Sequence, residues 1–120
     1  MTKPTVVIGA SNNPERYAYK ASIALQKHNH PVFPVGIREG KINDLEIITN
    51  KNKIDNIDTI TMYVGAANQP AWYDYIFSLE PKRIIFNPGA ENPELENMAS
   101  AKGIECIEAC TLVMLSIGNY

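Results

Sequence analysis

Short, continuously apolar runs alternate with stretches of helical periodicity along this chain, and that alternation restricts its fold more than any other feature. Val6-Val7-Ile8 is the first run, without polar alternation, as expected of a strand covered on both faces. Helical periodicity follows from Tyr17 to His28, with Ala18, Ala21 and Leu25 on one stripe. Asn29 suits a left-handed helix end. His30 to Val35 reads as a second strand, with Pro31 at its start and Pro34 at its exit, because proline donates nothing to a ladder. Asp58 to Gly65, Arg83 to Phe86 and Ile104 to Ile107 supply three more strand-like runs. Pro70 suits a first helical position ahead of the stripe Trp72, Ile76 and Leu79. Asn92 and Pro93 open a helix whose Leu95, Met98 and Ala99 face inward, and Gly103 stops it. Cys106 belongs to the core, and Thr111 to Ile117 is a short packed helix. Only Ile42 to Asp55 resists the pattern and reads as an irregular connection with one short extra strand.

Such alternation calls for a three-layer α/β, Rossmann-like fold: a mostly parallel five-stranded sheet with helices on both faces. At 120 residues it makes one domain, spanning 1–120. Ligands of such sheets bind beyond the carboxyl ends of the strands. The loops there run from Gly9 to Tyr17, Pro34 to Lys41, Gly65 to Gln69 and Asn87 to Asn92, all rich in Gly, Pro, Asn or Ser.

Charge narrows the partners. Lys and Arg total 11 against 13 Asp and Glu, and no basic run occurs, which argues against nucleic acid. No apolar stretch approaches the roughly 20 residues of a membrane span. A strand begins almost at once, so no signal-peptide pattern is present. The cysteines, Cys106 and Cys110, are too few for a disulfide scaffold, and a reduced, cytoplasmic protein is the expectation. A homodimer or larger assembly stays open.

The loop after the first strand carries the functional argument. The first amides of a helix lack intrahelical partners and hold the positive end of its dipole, so a phosphate placed there is bound by backbone alone. Gly9-Ala10-Ser11 supplies the first glycine of a dinucleotide fingerprint but not the later ones. A glycine at a strand end also serves purely steric needs. At the second strand end, Arg38 and Lys41 suit a ribose that carries a phosphate. Glu39 could instead hold ribose hydroxyls, and all three charges could simply be solvated.

Val7-Ile8-Gly9-Ala10-Ser11-Asn12-Asn13-Pro14, Val32-Phe33-Pro34-Val35, Asn87-Pro88-Gly89-Ala90-Glu91-Asn92, Gly103-Ile104 and Cys110 together resemble the small CoA-binding-domain proteins. Those stand-alone domains are similar to the CoA-binding part of the succinyl-CoA synthetase alpha subunit. The resemblance implies that Gly9, Ala10 and Ser11 meet the CoA phosphates, with Asn13 and Pro14 nearby. It also implies that Pro34, Val35, Gly36 and Ile37 line the adenosine side and that Arg38 is the basic residue following them. Gly36-Ile37 replaces the family's usual Asn-Pro. Phe86-Asn87-Pro88-Gly89 stands for its Trp-x-x-Gly, and Cys110 matches a cysteine near the ligand mouth. Tyr17, Lys20 and Gly65 complete the candidate cofactor-binding set with Asn87, Pro88 and Gly89.

No catalytic constellation or metal set emerges. His28-Asn29-His30 reads as a surface helix stop, Cys106 and Cys110 lack zinc spacing, and Trp72, Tyr73 and Tyr75 read as core or an oligomer patch. The expectation is a module that binds coenzyme A or an acyl-CoA without chemistry of its own. The alternatives are a small NADP-dependent oxidoreductase and a structural partner protein that binds nothing.

Overall fold

A computed structural model describes residues 2–120. The chain forms β1 (Thr5–Ile8), α1 (Tyr17–Lys27), β2 (Val32–Val35), a hairpin of β3 (Lys41–Ile42) and β4 (Leu45–Glu46), and β5 (Thr59–Met62). Then come 3-10 turns at Ala66–Asn68 and Pro70–Trp72, α2 (Tyr73–Ser78), β6 (Arg83–Phe86), α3 (Pro93–Ala101), β7 (Glu105–Glu108) and α4 (Thr111–Ile117). The five main strands lie in the order β2-β1-β5-β6-β7, and all four pairings are parallel. The chain leaves β1 in one direction to reach β2 and later returns to its other side as β5. That reversal is the crevice where sheets of this kind take ligands.

Alternation along the strands divides the core into two faces. Val6, Ile8, Ile60, Met62, Ile84 and Phe86 pack against Trp72, Tyr75, Ile76 and Leu79 around α2 and against Leu95 and Ala99 of α3. On the opposite face Val7 packs with Ala18 and Leu25 of α1 and Leu115 of α4. The fully buried isoleucines in this sheet are worth roughly 1.5–3 kcal/mol each on transfer from water. The small Ala18 and Ala21, both buried, let α1 lie close to β1.

Local signals place most ends. Asn29 has φ 65° and Gly103 φ +81°, so both helices close through left-handed residues. The Asn92 side chain accepts from the Leu95 amide at 3.3 Å, and Pro93 takes the first helical position.

Several expectations are corrected. Pro34 lies inside β2, in register with Val7, and not at the strand's exit. Its carbonyl accepts from the Ile48 amide at 2.8 Å, so its nitrogen lies on the outer side of the strand, away from the ladder with β1. The link from β2 to β5 is irregular as expected, but it holds two short strands and not one: the β3–β4 hairpin, after which Ile48 makes one parallel bridge to Val35. Met98 is exposed because the inward stripe of α3 is Leu95 and Ala99 alone. Cys106 is half-buried, since β7 is an edge strand whose residues are all partly open to solvent.

Candidate functional site

A cleft of about 780 Å³ opens above the carboxyl ends of β2, β1, β5 and β6, in the size range of small-molecule sites. Its wall comprises Gly9 to Asn13 after β1, Glu15 to Ala18 at the start of α1, Ile37 to Glu39 after β2, Tyr63 after β5 and Pro88 to Ala90 after β6, with Ile47 from the irregular link.

Glycine makes the junction possible. Gly9 has φ +98°, and a Cβ there would come within 3.0 Å of the Tyr63 carbonyl. Gly36 backs onto the same loop: a Cβ would lie 2.5 Å from the Ala10 carbonyl oxygen. The Val35 carbonyl then accepts from the amides of both Gly9 and Ala10, at 3.0 Å each. Those two amides are therefore engaged by β2. The next hydrogen-bonding groups of the loop lie one step further along.

The Asn13 amide donates to Ser11 Oγ at 3.1 Å, which leaves the Ser11 hydroxyl proton free to donate outward. Asn13 Oδ1 accepts from the Glu15 amide at 3.0 Å, an Asx turn that feeds the chain into α1. Arg16 is the residue before the helix, and no side chain caps the first turn. The amides of Tyr17, Ala18 and Tyr19 have no acceptor inside the helix and add the positive end of its dipole. Arg16 and Arg38 share the wall with Glu15 and Glu39, so the side-chain charges balance and the dipole of α1 is left to favour an anion. Tyr17 and Ile37 are 66% and 81% exposed, apolar surfaces large enough to cover a flat ring.

Of the residues expected from sequence, Gly9, Ala10, Ser11, Asn13, Tyr17, Ile37, Arg38, Pro88 and Gly89 line the cleft together. Others stand apart from its wall. Pro14 is exposed on the loop, and Gly65 precedes the 3-10 turn beyond β5. Lys20, one turn into α1, places its ammonium 5.1 Å from the Tyr17 ring centre. Pro34, Val35 and Gly36 are buried and act through the backbone just described. Asn87 is 2% exposed and turned inward: its Nδ2 donates to Thr61 Oγ1 at 2.7 Å and to the Met62 carbonyl at 2.9 Å, while its Oδ1 accepts from the Thr111 amide at 2.9 Å. It ties the ends of β5, β6 and α4 together. Cys110 is half-buried and not among the wall residues.

Sequence reasoning missed Asn12, Glu15, Arg16, Ala18, Ile47, Tyr63 and Ala90 as wall residues. Arg16 carried a readable signal, a cation at the mouth of a helix. Tyr63 carried another, as the first residue past a buried strand core. Ile47 had none, because it arrives from an aperiodic segment. Sequence reasoning also missed Gln69, which is wholly buried. Its Nε2 donates to the carbonyls of Val64 and Ala90 at 2.8 and 2.7 Å, and its Oε1 accepts from Asn92 Nδ2 at 2.8 Å. This amide holds the Pro88–Ala90 wall against the exit of β5. Among the described residues no group of three or more His, Cys, Asp or Glu could hold a metal ion. Nor is any helix long and apolar enough to cross a membrane.

The family model described as CoA binding domain matches residues 3–116. The chain belongs to that family. A CoA-binding domain therefore accounts for nearly the whole sequence. Among solved structures, one described as an uncharacterized protein superposes with a TM-score of 0.98 at 46% identity, covering 100% of this chain and 99% of its own. A hypothetical protein from Pyrococcus horikoshii OT3 gives 0.87 at 19% identity, covering 97% of this chain and 83% of its own. The structure of cell-free ID.343 from Thermus thermophilus gives 0.86 at 19%, covering 99% and 91%. The last two speak for the fold alone. No curated protein matches this CoA-binding domain.

Proposed function

We propose that the cleft binds coenzyme A or an acyl-CoA and performs no chemistry of its own. One observation carries this reading: an uncapped helix N-terminus, the Ser11 hydroxyl and two arginines face one cleft in a chain of the CoA-binding family. In the proposed pose the diphosphate lies on the first turn of α1 beside Ser11 and Arg16. The adenosine lies towards the exit of β2, between Ile37 and Tyr17, with Arg38 at the ribose phosphate. The arm runs across β5 and β6. Gly9 and Ala10 shape the loop while Ser11 and the helix amides hold the anion, and Pro88 and Gly89 form the far wall. The free cysteines Cys106 and Cys110 support a reducing compartment.

A thermal-shift titration tests this, because a ligand that binds only the native state raises the melting temperature. Coenzyme A and acetyl-CoA are expected to stabilise the protein at concentrations where NAD and NADP do not. A selective response to NADP would replace this reading with that of a reductase. No response to any of the four would leave a protein that acts through its surface.

A further inference from the structure

The floor of the cleft holds a phenol that the nucleotide does not use. Tyr63 is the first residue beyond β5, and its half-buried ring forms part of the wall. The hydroxyl at the end of that ring is closed to solvent and makes no hydrogen bond of good geometry, although the Thr61 and Thr111 hydroxyls lie near enough to act on it. Hydroxyls lie close by, but they serve each other: Thr61 Oγ1 and Thr111 Oγ1 are bonded at 2.7 Å, and Thr61 Oγ1 also accepts from Asn87 Nδ2 at 2.7 Å. A desolvated hydroxyl without a partner costs stability, and in a native protein it calls for an explanation.

Strand order says which part of a ligand comes nearest. The sheet runs β2-β1-β5-β6, and neighbouring strands are about 4.8 Å apart, so Tyr63 stands roughly 10 Å from the β2 exit where the nucleotide is placed. An extended ligand held by its diphosphate over β1 and α1 therefore passes Tyr63 with its non-nucleotide portion.

We propose that Tyr63 recognises that portion, turning its hydroxyl about the Cα–Cβ bond into the cleft to donate a hydrogen bond to a carbonyl oxygen of the amide arm or of an acyl group. This rests on the coenzyme A reading above. Burial pushes the phenol up to about 12, so it keeps its proton and acts as a donor at every physiological pH. No charged side chain competes for it: the polar groups around it are Thr61, Thr111, Cys110 and Tyr120.

The test is Tyr63→Phe, which keeps the ring and removes the hydroxyl. Calorimetric titrations of wild type and variant use coenzyme A, acetyl-CoA and adenosine 3′,5′-bisphosphate, the last having no arm. Dissociation constants for the first two are expected to rise about 5- to 10-fold, the usual scale for one lost hydrogen bond, while that for the bisphosphate stays within about 2-fold. A rise for acetyl-CoA alone places the bond on the acyl carbonyl, and a rise for both places it on the arm. The melting temperature of the unliganded variant is expected to hold or increase, because the hydroxyl has no partner to lose. Unchanged constants for all three ligands, an equal loss for all three, or a melting temperature lowered by several degrees each overturns the inference and leaves coenzyme A binding in place. A wild-type protein that binds none of the three overturns both.

Discussion

Gly36 and Ala10 touch backbone to backbone, so closely that a single methyl group on Gly36 would stand 2.5 Å from the Ala10 carbonyl oxygen. The atom it would meet belongs to a main chain that is itself fastened, since the Ala10 amide donates to Val35 at 3.0 Å. No flexible side chain can yield there. The loop that presents Ser11 is thus braced by the exit of β2, and a substitution at Gly36 is felt in the cleft.

Gly36→Ala is expected to destabilise the protein by about 1–3 kcal/mol, the usual cost of overpacking a closed site. Urea unfolding at constant m-value measures it. Any ligand of the cleft should also bind more weakly, because the displaced atoms carry Ser11. Gly89→Ala is the control: φ there is +91°, yet nothing lies within 4 Å of the added methyl, so only backbone strain remains.

Asn87→Ala is expected to cost about 2–4 kcal/mol, since the carbonyl of Met62 and the amide of Thr111 lose their partner in the interior. Ligand affinity should drop as well, through the loosened Pro88–Ala90 wall. Asn87→Asp should do no better, because a carboxylate cannot donate to Met62. Denaturant midpoints for the two variants check this, and an Asn87→Ala protein of wild-type stability would show the inward amide to be dispensable.

Arg38 is exposed and lines the cleft mouth. Arg38→Ala should leave the denaturant midpoint unchanged and weaken coenzyme A about 10-fold, in line with a lost charge-assisted hydrogen bond. Dephospho-coenzyme A, which lacks the ribose phosphate, should bind wild type and variant alike. Equal losses for both ligands would move the guanidinium from the ribose phosphate to some other contact.

Stability should fall as the medium is acidified through the histidine range. His30 Nδ1 accepts from the Lys3 amide at 2.9 Å, and the ring packs tilted at 56° against Tyr120, centroids 4.8 Å apart. Burial first, then the nearby charges of His28, Lys3 and Arg83, lower its pKa below 6.5. A lowered value means that the unfolded chain binds the proton more readily. The contribution is therefore full above about pH 6.5, is lost as pH falls from there towards the folded-state value, and changes no further below it. Denaturant midpoints between about pH 5.5 and 8 measure the slope, and His30→Gln should flatten it.

Local order in the chain was enough to place β6 at Arg83–Phe86, α4 at Thr111–Ile117 and the cap at Asn92, and with them the layered architecture. These depend on interactions within a few residues, such as a cap reaching three positions ahead or an apolar run flanked by turn formers. Legibility failed between Ile42 and Asp55, where a hairpin and one bridge at Ile48 replace a crossover helix and no period marks the segment. It failed again at Pro34, whose place inside β2 depends on which side of the strand has a neighbour.

The cleft divides the same way. A glycine at the end of β1 and a polar loop before α1 could be read residue by residue, because dihedral freedom and helix-end chemistry are local properties. That the Gly9 and Ala10 amides are spent on Val35, that Asn87 points inward, that Gln69 backs the cleft wall and that Tyr63 lines it was settled only when strands distant in sequence came to lie side by side. Hydrogen-bond partners and steric contacts between such strands have no signature along the chain, since they exist only once the sheet has assembled.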